Sequence, residues 1–365
     1  MKKNQVSIGK LLPLALLATS STALAQTNVQ FYGRMHAGID NVSVSATPTN
    51  PGGESATRVS DNSSKFGFRG KEDLGGGMSA FFQIEGSAKI DVGTGGLNEK
   101  DTYVGLGGHW GKIQLGRFST PMKDMNGLTN RFFGEGIQDD ANISQLGGDS
   151  TVYGFNRRQS NSFRYQTPSI NGFVGTIQRG QGIEGPGGNS VVSGSVLYTG
   201  GPLKVGGVYE DHRNLNPGFK DKMYRLSANY NFGGGDVGVS YNRITYNVAA
   251  GSLERGYFTV TGAYKIGGGS LIGRYGVAGN VGGSAPNGTS LTKTGTTLVR
   301  GSDSGAKQFT LGYEYYLSKR TQVYTYYTQT ANDRNANYTF GSNSFSTPAL
   351  GSKVSGYIVG MVHVF

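Results

Sequence analysis

The chain has 365 residues, 62 of them glycine and none cysteine, and 34 basic against 23 acidic residues give a formal charge of +11. Without thiols it can build no thiolate metal centre, which fits an oxidising compartment. No apolar run beyond residue 25 reaches the ~18 residues of a spanning helix, and no fixed-period repeat marks a propeller or solenoid. No composition break or linker divides the chain, and barrels of this length form single domains.

The N-terminus departs from the polar average. Lys2, Lys3 and Lys10 accompany a short apolar run at 11–18, and Ala23-Leu24-Ala25 follows. This is the pattern of a cleaved secretory signal peptide over residues 1–25, with one domain over 26–365. Removing its three lysines takes the charge from +11 to +8. That surplus bears on solute preference and not on fold.

From residue 28 the sequence alternates. Val29, Phe31, Met35, Ala37 and Ile39 share one face, and Gln30, Tyr32, Arg34, His36 and Asp40 share the other. The same period of two recurs over 64–71, 78–90, 222–232, 308–317 and 352–365, which predicts strands with one apolar and one polar face. Glycine turns at 75–77, 200–202, 233–235 and 267–269 alternate with longer polar connections at 41–62, 182–190, 213–221, 279–306 and 331–351. Short turns on one side and long loops on the other predict an up-and-down transmembrane barrel, and counting runs between breaks gives about sixteen strands.

A soluble sandwich also alternates, but its inner face is apolar. Here the polar face is rich in Arg, Lys, Glu, Asn and Tyr. The pattern therefore predicts an apolar wall toward lipid and a polar, water-filled lumen. A closed ring pairs every backbone group without leaving edges. The tyrosines and phenylalanines near strand ends would form the interfacial girdles. The last strand runs to Phe365 and would pair with the first to close the ring. One stretch, about 118–160, does not alternate although both neighbours do. A long loop of this kind inside a compact domain predicts a functional segment, here one that fills the hollow interior.

At these residues the chain resembles the trimeric general porins of Gram-negative outer membranes, in particular their betaproteobacterial branch. The resemblance is carried by Phe31-Tyr32-Gly33, by Ser64-Lys65-Phe66-Gly67-Phe68-Arg69-Gly70-Lys71-Glu72-Asp73-Leu74-Gly75-Gly76-Gly77 and by Tyr103-Val104-Gly105-Leu106. It continues through Leu115-Gly116-Arg117, Asn161-Ser162-Phe163-Arg164-Tyr165 and the terminal Val359-Gly360-Met361-Val362-His363-Val364-Phe365. It implies an all-β, sixteen-stranded antiparallel transmembrane barrel with short periplasmic turns, long extracellular loops and a third loop folded into the lumen. It also implies a homotrimer, set in outer-membrane lipid and lipopolysaccharide, that passes small hydrophilic solutes and ions by diffusion. The terminal Phe365 would be the signal read by the outer-membrane assembly machinery. Carried over by motif, the constriction has a basic wall of Arg34, Lys65, Arg69, Arg117 and Arg158. Opposite stand the loop acids Glu135, Asp139 and Asp140. The charge surplus would make the channel weakly anion-selective. Strict alternation puts Arg117 with Ile113 and Leu115 on the lipid face, so a bulge must turn it inward.

Rival readings are a substrate-specific channel, a barrel hydrolase and a plugged adhesive barrel. A hydrolase needs a nucleophile beside an oriented base. Of the four histidines, His363 shares the lipid face, His109 sits in a turn, and His36 and His212 lie on separate strands with no serine motif nearby. All four read as surface residues. No histidine pair has metal-ligand spacing and no phosphate loop precedes a helix, so no catalytic residue, metal or cofactor is expected. Export makes nucleic acid an improbable partner.

Overall fold

The computed structural model describes residues 28–48, 51–132, 135–146, 154–181, 188–215, 218–293, 295–343 and 346–365. The signal-peptide reading at 1–25 lies outside them, as do residues 133–134 and 147–153 of the long central loop and 182–187 of another.

Among the described residues, sixteen antiparallel strands form one ring. The first is Asn28–Val44. The second has two segments, Glu54–Asp61 and Lys65–Gly75, which pair in succession with the upper and lower halves of the first. The third is Met78–Lys89, and the fourth again has two segments, Thr94–Gly96 and Thr102–Gly108, both laddered to the third. The fifth to eighth are Gly111–Ser119, Arg158–Gln166, Phe173–Gln181 and Ser190–Gly200. The ninth to twelfth are Leu203–Arg213, Lys220–Asn231, Gly235–Val248 and Gly251–Ile266. The last four are Gly269–Ala278, Ala306–Tyr316, Thr321–Asn332 and Lys353–Val364. The sixteenth pairs with the first from Arg34↔Val364 to Val44↔Val354, and the ring is closed.

Two connections differ from the sequence reading. The 41–62 segment is mostly ladder, because the first strand continues to Val44 and pairs with Glu54–Asp61. The 279–306 segment carries its own hairpin, Ser290–Lys293 with Thr296–Val299. The first segment alternates Val and Thr and the second Leu and Thr, which polar composition alone concealed.

The outer wall is apolar as expected. Val29, Phe31, Ile39, Leu226, Phe258 and Val359 are exposed on it, with Leu226 at 61%. Inward positions of the wall carry His36, Asp40, Arg225, Arg255 and Arg274. The interior is not polar throughout, however. Val42 and Val44 face Phe132, Ile137 and Phe340 in one apolar cluster. Met223, Ile244, Tyr246 and Leu253 join Met122, Ile143 and Phe155 in another. Both clusters clamp loop residues against the upper wall. The alternation over 222–232 put Met223 on the polar face without a role; here it packs against an in-folded loop.

The histidine reading also needs correction. His36 is buried, its Nε2 2.7 Å from the Tyr324 hydroxyl. His212 is buried, stacked on Phe155 at 4.1 Å with Nε2 2.7 Å from Glu210. Inward-facing strand positions lie beneath folded-in loops, so polarity did not mean exposure. His363 is exposed and 2.8 Å from the Thr321 hydroxyl.

Candidate functional site

The central loop leaves the fifth strand after Ser119 and returns at Arg158, two residues inside the expected bounds at its start and three at its end. It opens with a helical turn, Pro121–Asp124. Pro121 at the first position presets φ, and the Thr120 hydroxyl caps the Lys123 N–H. A 3₁₀ turn, Met125–Leu128, and a second short helix, Ala141–Gln145, follow. The described parts of the loop lie inside the barrel. Met125 sits over Gly206 of the ninth strand, Thr129 over Gly238 of the eleventh, and Ile137 over Gly356 of the sixteenth. A Cβ at Gly206 would lie 2.7 Å from the Met125 sulfur, so glycine makes room for the loop there.

Two wall arginines that the sequence reading did not assign, Arg274 and Arg255, hold the loop, and a third, Arg225, is buried on the same wall. Arg274 Nη1 lies 3.3 Å from Asp140 Oδ1, and its Nη2 donates to the Gln138 carbonyl. Arg255 Nη2 donates to the Ser144 carbonyl at 3.3 Å, and its guanidinium lies 5.0 Å over the Tyr338 ring. Arg225 is buried on the tenth strand. On the loop side, Arg131 reaches Asp236 with Nε at 2.6 Å. Parity alone places Arg225, Arg255 and Arg274 inward, opposite Leu226, Phe258 and Tyr275, but it does not say what they meet.

These anchors separate the loop acids. Asp140 accepts from the Tyr257 hydroxyl at 3.1 Å as well as facing Arg274, so it is turned to the wall behind the loop. Asp139 is buried and accepts from Ala141 N–H at 2.9 Å and Ser342 O–H at 3.0 Å. Burial, then the Glu135 and Asp140 charges, push its carboxyl up to about 7. Glu135 remains 36% exposed, 4.0 Å from Lys123 Nζ.

On the other side, Arg34 and Lys65 are register partners on the first and second strands. Lys65 Nζ is 2.8 Å from Glu85, and Arg34 Nε donates to the Ser63 carbonyl at 2.9 Å. The charges of Glu135 and Arg158 both act on Arg34, which places the three in one region. Arg158 Nε is 2.5 Å from Asp101 Oδ1. Arg69 lies lower on the second strand, both Nε and Nη2 on the Gln30 amide oxygen. The bulge that alternation requires near Arg117 is present, as a register shift between Gly116 and Phe118. Arg117 itself still pairs with Thr102, beside the outward Val104 and Leu115, and its Nη2 donates to the Glu99 carbonyl at 3.2 Å. Arg164 joins the wall, 3.2 Å from Asp124 and 4.7 Å over the Phe118 ring.

A barrel with this geometry is a membrane channel, and comparison with known proteins places it. The Gram-negative porin family matches residues 14–335. Outer membrane porin protein 32 of Delftia acidovorans is 28% identical over 339 residues, covering 86% of this chain and 87% of that protein. Major outer membrane protein P.IB of Neisseria gonorrhoeae is 29% identical over 217 residues, 59% of this chain and 57% of its own. Among solved structures, an anion-selective porin from Comamonas acidovorans superposes with a TM-score of 0.75 at 23% identity, covering 93% of this chain and all of that one. The trimer form of OmpT from Vibrio cholerae superposes with a TM-score of 0.66 at 15% identity, over 93% and 99%. The chain belongs to the Gram-negative porin family. It is an outer-membrane channel for passive diffusion.

Proposed function

We propose that the channel prefers small anions weakly to moderately, and that it performs no covalent step. The observation that carries this is the unequal fate of the charges. Two of the three loop acids assigned to the constriction, Asp139 and Asp140, are engaged with the strand and loop behind them. Arg34, Lys65 and Arg158 stand on the opposite wall, with Arg164 beside them and Arg69 lower on the second strand, and Asp124 and Glu135 are the more exposed loop acids facing them. Charged side chains at the narrowest point set selectivity, and arginine keeps its charge among like charges. The similarity to a porin described as anion-selective supports the same sign. The preference should fall as salt rises, since screening acts within about 8 Å at physiological ionic strength.

The test is a reversal potential across a planar bilayer in a salt gradient. Wild type should reverse on the anion side. Arg158→Ser with Lys65→Ser should move it toward cations, and Glu135→Gln should move it the other way. Unchanged selectivity in the double variant would place the basic wall elsewhere. The Arg117 carry-over predicts the same cation shift for Arg117→Ser; its pairing beside outward residues favours little change. A steep preference for one solute class in the same recordings would favour a substrate-specific channel.

The rest of the assignment follows the family. Residues 1–25 are a signal peptide removed on export, and residues about 118–160 form the constriction loop. The channel is a homotrimer among outer-membrane lipid and lipopolysaccharide, and Phe365 is read by the assembly machinery.

A further inference from the structure

We propose that the periplasmic vestibule holds a subsite for aromatic carboxylates, distinct from the constriction. The proposal rests on the channel reading, since the vestibule lies on the diffusion path and its occupancy is read as block of the pore.

A cavity of about 850 Å³ opens between the lower ends of the first five strands. Among the described residues Arg69, Lys71 and Lys112 line it, and no acidic residue does. Of the two acids that follow Lys71, Glu72 and Asp73, Asp73 accepts from the Gly75 N–H at 2.9 Å within its own turn, and neither lines the cavity. Arg69 is bound by the neutral Gln30 amide and lies 4.8 Å over the Tyr32 ring, and no carboxylate among the described residues bonds it directly. A small anion would be attracted by this charge alone.

The aromatic preference comes from Phe81. It is the register partner of Lys71 on one side and of Gly105 on the other. A Cβ at Gly105 would meet the Phe81 ring at 2.4 Å, so the ring lies over that glycine. Over Gly107 the Phe81 ring and the Lys112 stem both come within 3.6 Å of the same point. The Tyr103 ring stands edge-on to Phe81 at 6.2 Å, fixed by its hydroxyl donating to Gln83 at 3.2 Å. A ring face, a ring edge and ammonium groups therefore meet in one wet cavity. A flat anion can set its ring on Phe81 and its carboxylate between Lys71, Lys112 and Arg69. An aliphatic carboxylate gains only the second contact.

The experiment adds benzoate, cyclohexanecarboxylate or acetate to the periplasmic side of the reconstituted channel and measures the reduction of chloride current. Benzoate should bind more tightly than cyclohexanecarboxylate, roughly three- to ten-fold, as an aromatic contact contributes. Phe81→Leu should bring that ratio near one while chloride conductance stays at the wild-type level, which also reports a folded barrel. Lys71→Gln with Lys112→Gln should weaken all three acids and leave the ratio standing. Equal block by benzoate and cyclohexanecarboxylate in wild type overturns the subsite, as does a ratio that survives Phe81→Leu. A barrel that conducts no chloride at all sinks the channel reading together with the subsite.

Discussion

Asp139 is a buried loop acid whose partners come from two different loops. Its carboxyl is held by Ala141 N–H and Ser342 O–H, and the Gly341 N–H donates to its carbonyl at 2.9 Å. It thus ties the central loop to the last long loop. Because the folded protein raises its pKa to about 7, the neutral form is the favoured one. The proton is held more tightly folded than free, so the tie is strongest in acid and weakens as pH rises through about 7. Open-channel current should be noisier on the alkaline side of that value than on the acid side, and Asp139→Asn should flatten the dependence. Equal noise across that range in wild type would remove Asp139 as the titrating group. In the sequence Asp139 and Asp140 looked alike. Their separation depends on Ser342 and Arg274, which lie 203 and 134 positions away, and no local pattern records that pairing.

The strands were legible because lipid and water impose a strict period of two, and Val29, Phe31 and Ile39 declare it over one short run. The loop was legible only as an absence of that period. Its contents depend on tertiary contact: Pro121 and Thr120 mark a helix start, but the attachment sites are glycines and arginines on distant strands. Gly206, Gly238 and Gly356 read as ordinary strand glycines until a loop residue is placed over each. Likewise Val42 and Ile244 broke the expected polar inner face because they pack against that loop. This attachment can be tested as a unit. Arg274 is 2% exposed and Asp140 18%, and removing one partner of a buried pair costs about 3–5 kcal/mol. Arg274→Ala should therefore free the middle of the loop, raising conductance fluctuations and opening a protease site between residues 132 and 141. Arg255→Ala should act in the same direction at the second helix. Wild-type noise and protease resistance in both would mean that the apolar clusters alone hold the loop.

At the scale of the whole barrel, the decisive contact is the seam. An open sheet in hydrocarbon would leave unpaired N–H and C=O groups along two edges, at several kcal/mol each. The first and sixteenth strands meet that demand, and the ladder extends to the last residue: Gly33 N–H donates to the Phe365 carbonyl and Phe365 N–H to the Gly33 carbonyl, both at 3.0 Å. The Phe365 ring lies 5.4 Å from Phe31 and directly over Gly33, where a Cβ would meet it at 2.6 Å. Phe365 therefore has a packing role whatever else it does, and losing it could fail for two reasons. Two variants separate them. Removing Phe365 deletes both the ring and any signal it carries. Gly33→Leu keeps the terminal residue but denies its ring the seat. If Phe365 is read by the assembly machinery, its removal should leave exported chain without a heat-modifiable barrel, while Gly33→Leu should still be delivered and assemble into a barrel of lower thermal stability. If the seat is what matters, the two variants should fail alike. Normal surface levels after removal of Phe365 would show that eleven ladder pairs, from Arg34↔Val364 to Val44↔Val354, close the ring without it.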